Sequence, residues 1–290
     1  MSATGTARRL SINQWTVRRA SIPELVSAAV GAGVPAVGLW REALAEFGVA
    51  DTARAVVDAG LRVSSLCRGG FFTDPEPRAA RAAHDGNLRA IEEAHDVGAP
   101  VLVLVAGGLP AGSRDLAGAR ERVRDAIGAI ADAAAAAQVV LAIEPLHPMY
   151  VADRAVVSTL GQALDIAEQF PADAVGVVVD TFHVWWDPEV LAQIARAGRG
   201  GRIASYQVCD FPTPIPADVL LARGMMGDGH IDFGPLTSAV SAAGYRGDVE
   251  VEIFNQDIWD ADPSGVVRLA RERFEALVAP FLDPAAEDAR

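Results

Sequence analysis

Three acidic residues lie where short apolar runs end, at positions where buried strands are expected to finish. Glu144, Asp180 and Glu252 each fall at or near the end of such a run. A carboxylate buried there costs several kcal/mol to desolvate unless a cation or another partner compensates for its charge. Pairing of each carboxylate with an arginine is one alternative. Convergence of three carboxylates from separate runs favours a bound divalent metal ion.

A fourth metal ligand is expected from the stretch SYQVCDF, which contains Gln207 and Asp210. A glutamine amide oxygen is compatible with Mg²⁺, Mn²⁺ or Ca²⁺, whereas zinc favours His and Cys. We therefore favour Gln207 as the fourth ligand and expect Mn²⁺, Mg²⁺ or Co²⁺ rather than Zn²⁺. The alternative role of Gln207 is a hydrogen bond that orients a neighbouring ligand.

Two histidines follow two of these carboxylates at the same spacing. His183 lies three residues after Asp180 in DTFHVWWD, and His147 lies three residues after Glu144 in EPLHP. An imidazole that overhangs the metal could hydrogen-bond a substrate hydroxyl or stabilise an enolate oxygen. A lone histidine is often structural, but its position beside Asp180 favours the functional role for His183. By the same logic His147 is predicted to contact substrate.

Arg223 begins a glycine-rich stretch, RGMMGDGHIDF. Its guanidinium could bind a substrate hydroxyl, carboxylate or phosphate through two parallel hydrogen bonds. The alternative is a salt bridge with Asp218 or Asp228 that orders the loop. The predicted catalytic groups are therefore Glu144, Glu252, His183 and Arg223.

Aromatic and arginine side chains near the same strand ends suit the flat face of a sugar or cyclic polyol and its polar groups. Any one of the tryptophans could equally fill the core. Besides His147, the predicted substrate contacts are Trp15, Trp40, Arg41, Arg68, Trp186 and Trp259.

The elements that must position these residues follow from a repeated pattern. Eight β-branched-rich runs, each followed by an Ala-rich stretch with helical spacing, predict βα units and a parallel sheet. The first turn lacks the glycine signature of a doubly wound sheet, so we predict the α/β class and a closed (β/α)₈ barrel. The runs are Arg9–Trp15, Ala36–Trp40, Arg62–Cys67, Val101–Val105, Val139–Glu144, Val175–Asp180, Ile203–Asp210 and Asp248–Phe254.

Length and composition favour a single barrel domain over residues 1–290, with 283–290 as a frayed tail. The chain has 25 Lys and Arg against 38 Asp and Glu, a net charge of −13, which disfavours nucleic acid as a partner. Two cysteines are too few for a disulfide framework, and neither a signal peptide nor a membrane span is expected. We therefore expect a cytoplasmic protein whose partner is a small molecule.

The motifs together resemble those of the xylose isomerase-like TIM barrel superfamily, specifically its sugar phosphate isomerase/epimerase group. AIEPL at 142–146 and VVDTFH at 178–183 are similar to the metal motifs of strands five and six. RGMMGDGHIDF at 223–233 is similar to the arginine loop, and VEVEIF at 249–254 to the glutamate motif of strand eight. The resemblance covers nearly the whole chain but does not name a substrate.

This resemblance implies that His183 and Arg223 contact substrate oxygens. In the epimerases of the group, two glutamates face opposite sides of the ketose and exchange a proton with the carbon next to the carbonyl. The isomerases and epimerases of the group usually have His where this chain has Gln207, and Gln there is associated with some dehydratases of the group. Dimers and tetramers are common in the group, so a homo-oligomer stays open. The implied metal ligands are Glu144, Asp180, Gln207 and Glu252.

The chemistry implied is removal of a proton next to a carbonyl, which leaves an enediolate that the metal stabilises. The leading hypothesis is an isomerase or epimerase of a keto-sugar, inosose or related polyol. The alternative is a lyase, namely a 3-dehydroshikimate- or inosose-type dehydratase or an enzyme that performs β-elimination on a 3-keto-glycoside. A DNA repair endonuclease needs several zinc-binding histidines, and only five histidines occur here. A barrel that binds without turnover would not need the complete set of acids and bases.

Overall fold

The computed structural model describes residues 8–282, and within them eight parallel strands close into a barrel in chain order. Closure results from pairing of the first strand with both the second and the last. The predicted (β/α)₈ barrel is therefore confirmed, and the predicted tail 283–290 lies outside the described residues. The strands are β1 (Leu10–Asn13), β2 (Ala36–Trp40), β3 (Arg62–Gly70), β4 (Val101–Val105), β5 (Val140–Glu144), β6 (Val175–Asp180), β7 (Ile203–Val208) and β8 (Val249–Val251).

Helices connect the strands and cover the outside of the barrel, so strands such as the buried run VLVLV of β4 are apolar on both faces. None of the helices in residues 8–282 is long and apolar enough to cross a membrane. The helices are α1 (Ile22–Ala32), α2 (Arg41–Phe47), α3 (Val49–Asp58), α4 (Pro77–Asp96), α5 (Leu116–Ala136), α6 (Leu160–Ala167), α7 (Thr181–Val184), α8 (Val190–Arg199), α9 (Phe233–Ala242), α10 (Gln256–Asp260) and α11 (Pro263–Leu277).

Five strands differ from their predicted bounds, of which β1, β5 and β7 are shorter by one to three residues. β3 continues past Cys67 to Gly70, because Gly69 and Gly70 still pair with β4 after a shift in register. Arg68 therefore lies within a strand rather than beyond its end. β8 is shorter than predicted, because the hydroxyl of Thr16 donates to the carbonyl of Val251 and accepts the N–H of Ile253. This exchange ends the ladder just before Glu252.

A polar layer lies inside the barrel around the buried carboxylate of Glu250. Its Oε1 accepts from the amides of Asn13 at 2.6 Å and Gln207 at 3.2 Å. Its Oε2 accepts from the hydroxyls of Ser64 at 2.5 Å and Ser65 at 2.8 Å. Burial raises the pKa of Glu250, and the hydrogen bonds from these four donors act in the opposite direction, so the donors favour the ionised form. Charge-assisted hydrogen bonds of this kind compensate for the cost of burying the charge.

The barrel makes room for this carboxylate at Gly38 on β2. A Cβ atom added at Gly38 would lie 2.6 Å from the Cδ of Glu250. Because four hydrogen bonds hold that carboxylate, it cannot move aside without losing some of them. We expect Gly38→Ala to lower the free energy of unfolding by about 1–3 kcal/mol, as overpacking of a core does, measured by urea denaturation.

The matched control is Gly31→Ala in α1, where an added Cβ meets nothing within 4 Å. That substitution removes a helical glycine and should stabilise the protein by roughly 0.5–1 kcal/mol or leave it unchanged. Equal unfolding midpoints for the two variants would contradict the role assigned to Gly38.

Candidate functional site

The carboxyl ends of the strands surround a central cavity at one mouth of the barrel. Its wall includes all four predicted catalytic groups: Glu144, His183, Arg223 and Glu252. Aromatic rings of Trp40, Phe71, Tyr150 and Phe254 form much of the remaining wall. The cavity therefore combines charged groups with flat apolar surfaces, as small-molecule sites do.

Arg223 is buried between two of the strand-end carboxylates. Its Nη1 lies 2.8 Å from Oδ2 of Asp180 and 3.0 Å from Oε2 of Glu252, and it also donates to the carbonyl of Glu252 at 3.2 Å. The loop partners considered for Arg223 are engaged elsewhere, because Asp228 pairs with Arg273 and Asp218 accepts the N–H of Leu220. Two of the three strand-end carboxylates, Asp180 and Glu252, are therefore paired with an arginine, as the alternative to metal binding predicted. Although burial opposes it, the charge of Asp180 raises the pKa of Arg223 well above its usual value.

His183 is buried beside this guanidinium. Its Nδ1 accepts the backbone N–H of His147 at 3.2 Å, and its Nε2 lies 2.9 Å from Nη2 of Arg223. Burial first, and then the charge of Arg223, hold the pKa of His183 well below its usual value. The ring is therefore neutral near pH 7.

Two buried oxygens in this region lack a hydrogen-bond partner among the described residues, namely Oε1 of Glu144 and Oε1 of Gln207. An unsatisfied buried acceptor costs about 1–3 kcal/mol, and more when it is charged. Burial, followed by the charge of Glu252, raises the pKa of Glu144 well above its usual value. Both oxygens belong to predicted metal ligands, and a bound cation is one way to satisfy a buried acceptor.

The ligand atoms of the acidic residues fall into two groups. Those of Glu144, Asp180 and His183 lie within 4.8 Å of one another, so this group could hold a metal ion. Those of Cys67, Glu250 and Glu252 form a second group of the same size. Arg223, which contacts Asp180 and Glu252, joins the two groups.

The side-chain nitrogen of Gln207 is hydrogen-bonded, whereas its side-chain oxygen has no hydrogen-bond partner within residues 8–282. Its nitrogen donates to Glu250, so its oxygen is turned away from that carboxylate. Glu250 is not among the residues predicted from the sequence. The signal was present in VEVEIF, because residues two apart on a strand face the same side, which puts Glu250 inside the barrel with Glu252.

Asp210, the other candidate ligand near the end of β7, organises a loop instead. Its Oδ2 accepts the N–H groups of Gly227 and Gly229, and its Oδ1 accepts those of Phe211 and Ile231. These bonds fix the loop that begins with Arg223. Asp210 therefore positions the guanidinium through the backbone.

The predicted substrate contacts separate into two sets. Trp40 and Arg68 line the central cavity. Trp15 stacks on Trp40 with ring centres 4.2 Å apart, and the indole N–H of Trp259 donates to the carbonyls of Trp15 and Ile253. These two rings lie behind the cavity wall and support it.

The remaining predicted contacts also lie outside the cavity wall. Arg41 pairs with Glu93 of α4. Trp186 donates its indole N–H to the carbonyl of His183, and His147 contacts His183 through its backbone. Arg154, which was not predicted from the sequence, lines the cavity from a loop after β5. Nothing in the local sequence ADRAVV distinguishes this arginine from a surface residue.

The chain belongs to the family of xylose isomerase-like TIM barrels, whose model matches residues 26–277. The resemblance drawn from the motifs is thereby confirmed. Its structure is similar to that of protein SMc04130 from Sinorhizobium meliloti 1021, with 46% identity and a TM-score of 0.90 over 93% of this chain and 98% of that chain.

Two curated relatives are similar over part of their length. An inosose isomerase of Bacillus velezensis is 30% identical over 128 residues, which is 43% of this chain and 45% of that protein. A 3-dehydroshikimate dehydratase of Pseudomonas putida is 32% identical over 106 residues, which is 34% of this chain and 16% of that protein. The chain spans less than half the length of either relative.

We expect the chain purified without chelator to carry one divalent ion, detectable by elemental analysis. Glu144→Gln should weaken Mn²⁺ binding in calorimetric titration, because it replaces a carboxyl group, one oxygen of which has no hydrogen-bond partner within residues 8–282, with a neutral amide. Glu275→Gln is the control, since Glu275 pairs with Arg271 on the outer helix α11. A wild-type chain that binds none of Mn²⁺, Mg²⁺ and Co²⁺ would contradict the metal site.

Proposed function

We propose that this chain is a divalent-metal-dependent enzyme that isomerises or epimerises a keto-sugar, inosose or related polyol. The observation that carries the proposal is the presence of two acidic side chains, Glu144 and Glu252, in one cavity with a guanidinium and a neutral imidazole. That set suits movement of a proton next to a carbonyl. The partial similarity to an inosose isomerase supports the same class of reaction.

Glu144, Asp180, Gln207 and Glu252 are the residues that would hold the ion, which when bound would acidify the C–H next to a substrate carbonyl. The unpartnered oxygens of Glu144 and Gln207 fit this assignment. The printed sequence contains no lysine, so a lysine imine is not an alternative way to activate the carbonyl within these residues.

Glu144 and Glu252 are the proposed proton carriers. Burial raises the pKa of both carboxyl groups, that of Glu252 to about 8. A group whose pKa lies near the working pH takes up and returns a proton efficiently. In an epimerase, one carboxylate would remove the proton from carbon and the other would deliver a proton to the opposite face.

His183 and Arg223 are the proposed contacts for substrate oxygens. The buried guanidinium stays charged beside Asp180, and the imidazole stays neutral. Both groups are held by the protein before substrate arrives. They would therefore stabilise negative charge that develops on the oxygen as the proton leaves carbon, without having to reorganise.

A carbon–oxygen lyase is the second candidate, and Gln207 is the observation that favours it. Gln occupies the position where His is usual in the isomerases and epimerases of the group. The partial similarity to a 3-dehydroshikimate dehydratase points the same way. In this reaction the same proton removal would be followed by loss of a β-hydroxyl as water or of an aglycone.

Solvent-deuterium incorporation tests both candidates. We expect the Mn²⁺-loaded protein to exchange the α-proton of at least one member of a panel of ketoses, inososes and 3-keto-glycosides, followed by NMR. Exchange with retention of water and aglycone supports an isomerase or epimerase, whereas their loss supports a lyase. No exchange across the panel would contradict the proposed function.

In the same assay, Glu144→Gln and Glu252→Gln should each reduce exchange by about 10²–10⁴-fold, because each removes a proposed acid/base group. Circular dichroism must match the wild type for the loss to count. Glu275→Gln again serves as the control on the outer helix. Either active-site variant with a near-normal rate would remove that residue from the mechanism.

Gln207→His addresses the reaction type. If Gln207 is a ligand, the variant should still bind metal and should shift its preference toward Zn²⁺ or Co²⁺, because imidazole is the softer ligand. Unchanged metal selectivity with weaker substrate binding would instead make Gln207 a substrate contact. Dehydration by the wild type with only epimerisation by the variant, on a keto-polyol with a β-hydroxyl, would favour the lyase. Epimer from both proteins would favour the isomerase.

A further inference from the structure

The cavity carries two arginines that the proton-transfer chemistry above does not use. Arg68 lies in the last part of β3, and Arg154 lies in the loop after β5. Both line the same cavity as Glu144 and Arg223. Both side chains are partly exposed, whereas Arg223 is buried. The two arginines therefore stand nearer to solvent than the carboxylates do.

The guanidinium of Arg68 has no hydrogen bond or ion pair with any residue of the range 8–282. Aromatic rings hold it instead, with its Cζ 4.4 Å from the ring centre of Phe71 and 5.9 Å from that of Trp40. Contacts with ring faces leave the N–H donors unused. Arg41 on α2 is the contrast, because its Nε and Nη2 both donate to Glu93.

Arg154 is only weakly paired. Its Nε lies 3.6 Å from Oδ2 of Asp153, a carboxylate that is 63% exposed and does not line the cavity. Exposed pairs of this kind contribute little. Most of the donors of Arg154 therefore stay available to a ligand in the cavity.

The two guanidinium groups also influence each other. Burial lowers the pKa of Arg68, nearby Glu42 acts in the opposite direction, and the charge of Arg154 lowers it again. Like charges on one cavity wall repel each other, and a bound anion between them would relieve the repulsion. The planar fork of arginine matches the oxygen spacing of carboxylates and phosphates.

We propose that Arg68 and Arg154 form a subsite for an anionic group of the substrate, a carboxylate or a phosphate. The inference rests on the proposed function, because the subsite shares its cavity with the proton-transfer groups. It narrows the substrate class to keto-sugar acids or keto-sugar phosphates. The formal charge of −13 repels such a substrate at long range, so local positive charge at the cavity is what would capture it.

The test is binding of matched ligands to the Mn²⁺-loaded protein by calorimetry. D-Fructose is compared with D-fructuronate and D-fructose 6-phosphate, and L-sorbose with 5-keto-D-gluconate, its carboxylate counterpart. We expect at least one anion to bind about 10- to 100-fold more tightly than its neutral counterpart, as charged hydrogen bonds provide. The stronger of the fructuronate and the phosphate identifies the source of the anionic group.

Variants locate the effect. Arg68→Gln and Arg154→Gln should each bring the ratio of anion affinity to neutral-ligand affinity close to one. Arg41→Gln is the control and should keep the wild-type ratio, because the guanidinium of Arg41 is paired with Glu93. Three results would overturn the proposal: no binding of any anion, equal binding within every pair, or a preference that survives in both cavity variants. The last result would mean that the anion binds the metal instead.

Failure of this proposal and failure of the proposed function are distinguishable. Deuterium exchange without any preference for anions would overturn the subsite and leave the proton-transfer chemistry standing. A preference for anions that depends on Arg68, without deuterium exchange on any substrate, would support the anionic subsite and contradict the proposed enzymatic function.

Discussion

The contact of Arg223 with Asp180 and Glu252 is the interaction on which the rest of the site depends. In the described barrel interior, Glu144, Asp180, Glu250 and Glu252 are all buried, and Arg223 is the buried guanidinium that faces two of them. Loss of one member of such a pair leaves an uncompensated charge and typically costs about 3–5 kcal/mol. One guanidinium cannot balance four carboxylates. Hydrogen bonds compensate for the charge of Glu250, and the charge of the remaining carboxylates would be met by protons or by a further cation such as a metal ion.

The position of that guanidinium is set by a loop and not by the barrel itself. Asp210 accepts four backbone N–H groups from the loop that follows β7, and the amide of Asn255 donates to the carbonyl of Arg223 at 2.9 Å. Backbone hydrogen bonds of this kind fix a loop more firmly than contacts between flexible side chains do. The loop that holds Arg223 is therefore fixed by its own hydrogen bonds. This favours a guanidinium that is in place before a ligand binds.

The sequence predicts the barrel and the four groups on its cavity wall because both depend on local patterns. A carboxylate that ends an apolar run is visible along the chain, and so is a histidine three residues later. Arg41 and Arg154 show that local sequence patterns do not predict contacts between residues that are far apart in the chain. Arg41 follows a strand as a substrate contact should, yet its partner Glu93 lies 52 positions away on α4, while Arg154 reaches the cavity from a loop whose path depends on packing. The extent of β3 was missed for a related reason, since glycines suggest a turn until the neighbouring strand is known.

The buried carboxylate of Glu250 fixes the orientation of the Gln207 amide. The carboxylate of Glu250 accepts an N–H from the side chain at position 207, so that residue must be a donor on this side and its acceptor faces elsewhere. A neutral imidazole meets the same requirement, with an N–H on one nitrogen and a lone pair on the other. Glutamine and histidine can therefore both donate an N–H toward Glu250, and they differ in the atom available on the other side. Exchange between them changes the softness of that atom and leaves the buried polar layer of the barrel intact.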